Sequence, residues 1–414
     1  MHRLMTTSTV VSADPRADGH HPWRMVAALA ITSTVGYGTL YYAYAVLLRP
    51  MATSLDTSTT AVTGALTASV LAGALMAIPV GRWLDRHGGR VLMTAGSITA
   101  TALLVAWSQV QTVGQLYAVM TGIGIVSAMV LYEPAFAVIV SCFSPDRRPT
   151  ALLAVTIVAG FASTIFMPLT GHLVAHLGWR AALLTLAAIH GLVTVPLLSL
   201  TIPPPTASTP TAHPDRGQRR AAASRATHDP RFWILTAALV AHGAATSIIA
   251  VHLVGYLTSR GHPATFAATT TGLLGVLSVT GRLVLTAARR RFAVTTIVAT
   301  VFAIQAAAIL ALPFAGDSRI GAVITVTGFG IGFGIAHLAI PALLTGRYGT
   351  TAYATIAGRL AAPVTIARAT APLGAAAILH TGGGYLVVLA AVALCCVLAA
   401  AGMLARAGTA TPPT

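Results

Sequence analysis

The chain has no lysine, and Glu133 is its only glutamate. All 25 basic residues are arginine, and only nine acids oppose them. Charged residues make up 8% of the 414 positions, where a water-soluble domain carries about 25%. That deficit excludes an ordinary solvated surface, and a hydrophobic content of 56% points to many membrane spans instead. The formal charge of +16 suggests nucleic acid at first sight. The arginines, however, lie in short loops between apolar runs and build no basic face, which argues against that partner. Cys142, Cys395 and Cys396 sit in or at apolar runs. They have no metal-ligand spacing with histidine and form no disulfide framework. No nucleotide or cofactor motif and no catalytic constellation occurs, so neither an ATP-driven pump nor an enzyme is expected.

What is present is a series of apolar runs, at about Met25–Leu48, Ala61–Val80, Val91–Val110, Leu116–Cys142, Thr150–Leu177 and Ala181–Leu200. Six more follow at Phe232–Leu257, Thr265–Ala288, Phe292–Phe314, Ile320–Leu344, Thr351–Leu379 and Tyr385–Leu404. Runs of about 20 residues cross a bilayer at a rise of ~1.5 Å per residue. Residues 1–24 are polar, lack the apolar core of a signal peptide, and are expected to be a disordered cytoplasmic tail. Residues 201–230 open with Pro203-Pro204-Pro205 and are rich in Ser, Thr, Pro and Arg, the composition of a linker. The expected division is two six-helix bundles at 25–200 and 231–405, with a second cytoplasmic tail at 406–414.

Twelve spans put both termini on one side. Nineteen arginines fall on that side or at helix ends facing it, and four (Arg49, Arg180, Arg260, Arg319) fall opposite. The positive-inside rule makes the rich side cytoplasmic, and the membrane is expected to be the cell membrane. The halves also repeat. Pro168, Leu169, His176 and Gly178 recur 204 residues later as Pro372, Leu373, His380 and Gly382. Gly122-x-Gly124 and Pro134 are echoed by Gly328-x-Gly330 and Pro341.

Between the second and third runs stands Gly81-Arg82-Trp83-Leu84-Asp85-Arg86-His87-Gly88-Gly89-Arg90. Its glycines allow a sharp turn and close helix approach, and Asp85 can bond the start of a neighbouring helix or an arginine. With Gly81, Asp85, Arg86, Gly88 and Arg90 in place, it resembles the signature loop of the major facilitator superfamily. The resemblance implies an all-α membrane protein of twelve transmembrane helices in two six-helix bundles related by a pseudo-two-fold. Such a chain works as a monomer that alternates access by rocking one bundle on the other. In this superfamily spans 3, 6, 9 and 12 are peripheral and the other eight line a cavity. Glu133, Arg282, Arg359, Arg368, His242, His252 and His337 all fall on cavity-class spans, whereas spans 3, 9 and 12 carry no ionisable group beyond cysteine and tyrosine.

An ionisable residue inside a span costs about 2.5–3.5 kcal/mol on insertion scales, so each needs a reason. Glu133, in Tyr132-Glu133-Pro134, lies roughly 13 Å from the cytoplasmic end of span 4. It suits either reversible protonation or pairing with an arginine. Arg368 is too deep to snorkel and suits a carboxylate or an ion pair. Arg359 is nearer the cytoplasmic surface, and Arg282 is placed to snorkel there. Tyr37, Tyr41 and Tyr44 follow i, i+4, i+7 spacing, one face of an α-helix, with Tyr42 adjacent; they suit either a substrate path lined with hydroxyl donors or an interfacial aromatic belt, for which Tyr37 and Tyr41 lie too deep. His242 and His337 suit proton transfer or a bond to a neighbouring helix.

Tyr44-Ala45-Val46-Leu47-Leu48-Arg49-Pro50-Met51, the run from Gly122 to Pro134, and Gly281-Arg282 resemble the monocarboxylate-transporter-like and oxalate/formate-exchanger-like branch. In that branch the arginine of span 8 serves the substrate, with an aspartate one turn earlier, where Ser278 stands here. The expected function is a secondary transporter of a small organic anion, moved with protons or by exchange. An exporter of a larger apolar compound is the alternative, and a transport-dead sensor or scaffold is a third reading.

Overall fold

The computed structural model describes residues 21–203 and 216–405. The expected terminal tails, 1–24 and 406–414, lie outside it except for His21–Arg24, which are already helical in His21–Tyr37. The chain continues through a π-helical segment, Gly38–Tyr42, into Ala43–Ser54, and the three pieces make span 1. Span 2 is Thr59–His87 and span 3 Arg90–Ser108; span 4 is Val113–Val130 followed by Tyr132–Cys142. Span 5 is Arg148–Gly160 continued over 162–177, and span 6 covers 179–201. Pro230–Ser259, Ala264–Ala288 and Val294–Ala315 are spans 7 to 9. Span 10 is Arg319–Gly330 with Ile335–Tyr348, span 11 Tyr353–His380 and span 12 Gly384–Ala405.

Among the described residues, ten helical stretches are long and apolar enough to cross a membrane. Arg148–Thr201 counts once among them but turns at Gly178, whose φ is 77°. Span 1 is split by its π segment. Counting both gives twelve. Leu192, Leu200, Phe314 and Ile320 are at least three-quarters exposed on the outside of the bundle. Such positions need no water-facing polarity when hydrocarbon surrounds them.

The repeat read from the sequence is visible in backbone geometry. Gly178 and Gly382 both have positive φ, at the turns that end spans 5 and 11. Thr112 and Ser318 both cap a helix start with their hydroxyls, at spans 4 and 10. Span 4 breaks at Leu131 and span 10 over Ile331–Gly334. In span 4 the cause is Pro134. It removes an N–H and crowds the carbonyl four residues back, but fits the first turn of a new helix, where N–H groups have no intrahelical partner.

The apolar core has three parts, and their distribution defines the conformation. One cluster joins both halves at the arginine-rich end, with Val80, Leu84, Ala135 and Leu152 against Leu285, Ile335, Ala354 and Leu360. A second is drawn only from spans 1 to 6, around Tyr44, Leu47, Trp107 and Leu186. A third is drawn only from the second half, around Ile249, Leu257, Phe329 and Val392. The halves therefore share a core at the arginine-rich end and keep separate cores towards the opposite end.

Spans 2 and 11 make the tightest part of the shared core. A Cβ on Gly81 would stand 2.2 Å from the Ala354 carbonyl oxygen, and one on Gly358 would stand 2.3 Å from that of Ala77. Backbone meets backbone at both points, so no side chain can bend aside. Gly81→Val is expected to cost about 1–3 kcal/mol in this closed form, the usual penalty of overpacking, and to part the arginine-rich end. With Cys142, Cys395 and Cys396 replaced by serine, alkylation of a cysteine at Ala77 should become several-fold faster in that variant. An unchanged rate removes the crossing from control of closure.

Candidate functional site

Midway along the bundle the breaks in spans 4 and 10 bring polar groups together. The half-helix Tyr132–Cys142 carries Glu133 in its first turn, beside the positive end of the helix dipole. Although surrounded by helices, the Glu133 side chain is exposed, opening onto the space between the halves. Arg368 of span 11 lies within electrostatic reach of Glu133, Tyr37 and Tyr41 and is itself partly exposed. The stem of Arg368 rests on Gly243 of span 7, where a Cβ would come within 3.2 Å of its Cγ. Pro372 has no N–H for the carbonyl of Arg368, and Ser247 donates to that oxygen instead at 2.8 Å. Glu133 and Arg368 form no direct ion pair; among the described residues the ion pairs are Arg260–Asp317 and Arg347–Asp229.

Aromatic rings complete this wall. Tyr132 has ring centroids 4.6 Å from Tyr37, 5.1 Å from Phe136 and 5.4 Å from His337. Tyr41 is 47% exposed. Tyr44 departs from the face expected of it: its ring is buried, stacks on Trp107, and its hydroxyl donates to the Val62 carbonyl. The reason is the π segment, whose wider turn breaks the 3.6-residue phase between Tyr37 and Tyr44.

Arg282 does not snorkel. It is 6% exposed, and its Nη1 donates to the Thr156 carbonyl near the C-terminal end of Arg148–Gly160, where helix-end carbonyls welcome a cation. Its Nε has no partner. Gly334, at the start of Ile335–Tyr348, leaves room for this side chain; a Cβ there would stand 2.9 Å from Nε. Arg359 is placed apart from the cluster and donates to the Ala223 carbonyl at 2.9 Å and the Thr227 hydroxyl at 3.0 Å, both in a helix of the linker. His242 is buried, stacks on Phe302 at 4.1 Å, and bonds Gln305 at 3.1 Å. Gln305 in turn donates to the Phe329 carbonyl at the break in span 10. Glu133, Arg368, Tyr37, Tyr41 and His337 thus share one region, with Arg282 behind Tyr132 and His337. Sequence reading missed Tyr132 and Gln305; Tyr132 adjoins Glu133, but nothing in one dimension marks Gln305.

The sequence model of the major facilitator superfamily matches residues 28–372. The chain belongs to the major facilitator superfamily. A stretch of 192 residues is 31% identical to an MFS-type efflux pump of Mycolicibacterium smegmatis, covering 45% of this chain and 44% of that protein. The match thus spans less than half of the relative's length. Among solved structures, the Escherichia coli fucose:proton symporter FucP superposes with a TM-score of 0.74 at 16% identity, over 94% of this chain and 100% of that one. FucP in its outward conformation gives 0.72 at 16% identity, over 93% and 99%. The human organic anion transporter MFSD10 gives 0.64 at 16% identity, over 93% and 98%. These likenesses establish the fold.

In this superfamily member the signature decapeptide forms the link between spans 2 and 3. Gly88, with φ 71°, ends span 2, Arg86 is exposed in its last turn, and Arg90 opens span 3. Asp85 reaches across to the other half and accepts from the backbone N–H of Ala354 at 3.0 Å and of Thr355 at 2.7 Å. It therefore caps span 11 from outside that helix. Hydrogen bonds to a charged group contribute about 1.5–3 kcal/mol each. Asp85→Asn removes the charge and is expected to slow turnover about tenfold while leaving substrate affinity nearly unchanged. Comparing equilibrium binding with exchange rate in one preparation checks this; parental exchange excludes the contact from the cycle.

Proposed function

We propose that the protein is a secondary transporter of a small organic anion, coupled to protons or run as an exchanger, in which Arg368 receives the anionic group and Glu133 carries the proton. The observation that carries this reading is that Glu133 and Arg368 come from opposite halves, face one space and do not pair with each other. A charge held among helices without a counter-charge is costly. Cargo at Arg368 and a proton at Glu133 would each relieve that cost, and each would do so reversibly. The branch resemblance would give the substrate to Arg282, but here one arm of Arg282 is taken up by Thr156, so Arg368 is the better placed anion receptor. Tyr37 stands within reach of both groups and His337 within reach of Arg368 as proton-relay or orienting residues, and the exposed Tyr41 stands near Arg368. Alternating access proceeds by opening the shared core at the arginine-rich end while the opposite end closes. In this reading the arginine-rich end is cytoplasmic by the positive-inside rule, with both termini on that side, and the chain works as a monomer in the cell membrane.

A second reading, export of a larger apolar compound, is favoured by one observation: the Mycolicibacterium relative is an efflux pump. Cargo charge separates the two. Arg368→Lys should lose most transport of a carboxylate cargo, because a point charge does not replace a planar fork. Exchanging the cargo's carboxylate for an amide should do the same in the parental protein. Uptake of labelled organic acids into proteoliposomes measures both, and preference for neutral cargo would establish the exporter.

Glu133→Gln should abolish accumulation driven by a pH gradient yet preserve equilibrium exchange of the same cargo. Gradient-driven uptake and counterflow on that one variant decide the matter. Intact accumulation defeats the proton-carrier role, and the absence of counterflow from the parental protein would leave a transport-dead sensor.

A further inference from the structure

Span 11 carries two prolines, Pro363 and Pro372, and Arg368 lies between them. Pro372 denies the Arg368 carbonyl its helical N–H, and its ring crowds that oxygen. The oxygen is answered from span 7, where Ser247 donates to it at 2.8 Å. Span 7 meets Arg368 at a second point one turn away. Gly243 and Ser247 are four residues apart and share one face of Pro230–Ser259. A Cβ on Gly243 would stand 3.2 Å from the Arg368 Cγ and 3.4 Å from its Nε, so only glycine lets the stem lie where it does. His252 bonds the Pro372 carbonyl from Nε2 at 3.0 Å. Span 7 therefore holds span 11 at both Arg368 and Pro372.

Serine hydroxyls are among the groups that answer carbonyls freed by proline in membrane helices. Such a bond alone says only that the kink is satisfied. The first half offers the comparison. Pro168 of span 5 is the repeat counterpart of Pro372, and the carbonyl it frees belongs to Thr164. Thr164 is exposed, and among the described residues no side chain donates to its carbonyl. One kink thus stands without a side-chain donor. The donor is present in the half where the freed carbonyl belongs to an arginine that borders the space between the halves.

We propose that Ser247 is a positioning residue for Arg368: its hydroxyl replaces the N–H that Pro372 lacks and, with Gly243 under the stem, aims the guanidinium at the anionic group of the cargo, which rests on the reading of Arg368 as the anion receptor. A planar fork binds a carboxylate by two parallel bonds and gains from being oriented before the anion arrives. Without the hydroxyl the carbonyl has no donor, the turn from Arg368 to Pro372 loosens, and the fork samples more directions.

Phenylglyoxal modifies guanidinium groups and reads this on the native residue. The full chain in nanodiscs is treated with it, and modification of each arginine is followed by peptide mass spectrometry, with the exposed Arg290 as internal reference. In Ser247→Ala, Arg368 should react several-fold faster than in the parental protein; in Ser247→Thr, which keeps the hydroxyl, it should react at the parental rate. Pro372→Ala restores the N–H that serves this carbonyl in a regular helix, so Ser247→Ala with Pro372→Ala should return towards the parental rate. A Ser247→Ala rate equal to the parental one overturns the proposal. So does an increase that persists in the double variant, which would assign it to lost packing. Acetate is the carboxylate probe and acetamide its neutral control. Acetate should shield Arg368 in the parental protein and acetamide should not, and Ser247→Ala should need several-fold more acetate for the same shielding. Equal shielding in both proteins overturns the positioning role and leaves the receptor standing. Absence of shielding from the parental protein overturns the anion-receptor reading itself, so the two failures are told apart.

Discussion

Two backbone N–H groups at the start of span 11 find their acceptor in the other half of the molecule, at the carboxylate of Asp85. A helix start buried without partners is costly, because each N–H must be satisfied by side chain, water or ligand. The closed arginine-rich end thus supplies something span 11 lacks by itself. Gly81 and Gly358 let the two backbones approach closely enough for the bond to form, and the shared core packs around the crossing. When the halves part, both the carboxylate and the N–H groups must be hydrated. Closure is held by an exchange of water for protein rather than by bulk apolar contact alone. Tyr353 stands immediately before these N–H groups, buried and within electrostatic reach of both Glu133 and Asp85. The end of span 11 therefore borders the polar cluster and the gate at once.

The breaks in spans 4 and 10 are the second constraint. An unbroken apolar helix offers no polar backbone to its surroundings, whereas a break exposes carbonyls on one side and N–H groups on the other. The two halves use the same break differently. In span 4 the new helix places a carboxylate, Glu133, at its positive end. In span 10 the break is glycine-rich, the carbonyl of Phe329 is answered by Gln305, and Gly334 makes room for Arg282. The repeat supplied two equivalent kinks, and divergence gave one an anion and the other a cation in its vicinity.

Topology, repeat and the contact made by the decapeptide were legible because each rests on local signals: run length, glycine at turns, and a carboxylate beside a helix start. Parts of the polar cluster were legible, since Glu133 and Arg368 were singled out by depth, Tyr37 by helical spacing and His337 as a histidine on a cavity-class span. What failed did so for identifiable reasons. Tyr44 left the expected face because helical periodicity assumes 3.6 residues per turn, and the π segment does not keep it. Arg282 was expected at the surface because snorkelling is judged along one helix; its partner, Thr156, belongs to the other half and is unreadable from distance along the chain. Arg359 met a linker helix whose stability comes from docking, so composition gave only a linker.

The scarcity of acids bears on the proposed cargo. Among the described residues Asp229 and Asp317 pair with arginines, Asp85 caps span 11, and Asp56 and Asp146 lie in turns between spans, which leaves Glu133 as the one carboxylate of the central region. Arg368 lies within electrostatic reach of it and Arg282 is buried behind Tyr132 and His337, so the region carries one more positive than negative charge while Glu133 is ionised. Under the proposed reading, adding a proton to Glu133 removes the only local negative charge and leaves the Arg368 guanidinium facing the space, with Arg282 buried behind it. Attraction for an anion then rises, and by reciprocity a bound anion favours the protonated carboxyl. Proton and anion thus reinforce each other's binding without direct contact, which is the sign of coupling that co-transport requires. Exchange follows from the same arrangement when no proton gradient is present, since one anion can leave and another enter with Glu133 unchanged. On the same reading an apolar cargo would leave Arg368 unanswered and add its desolvation cost.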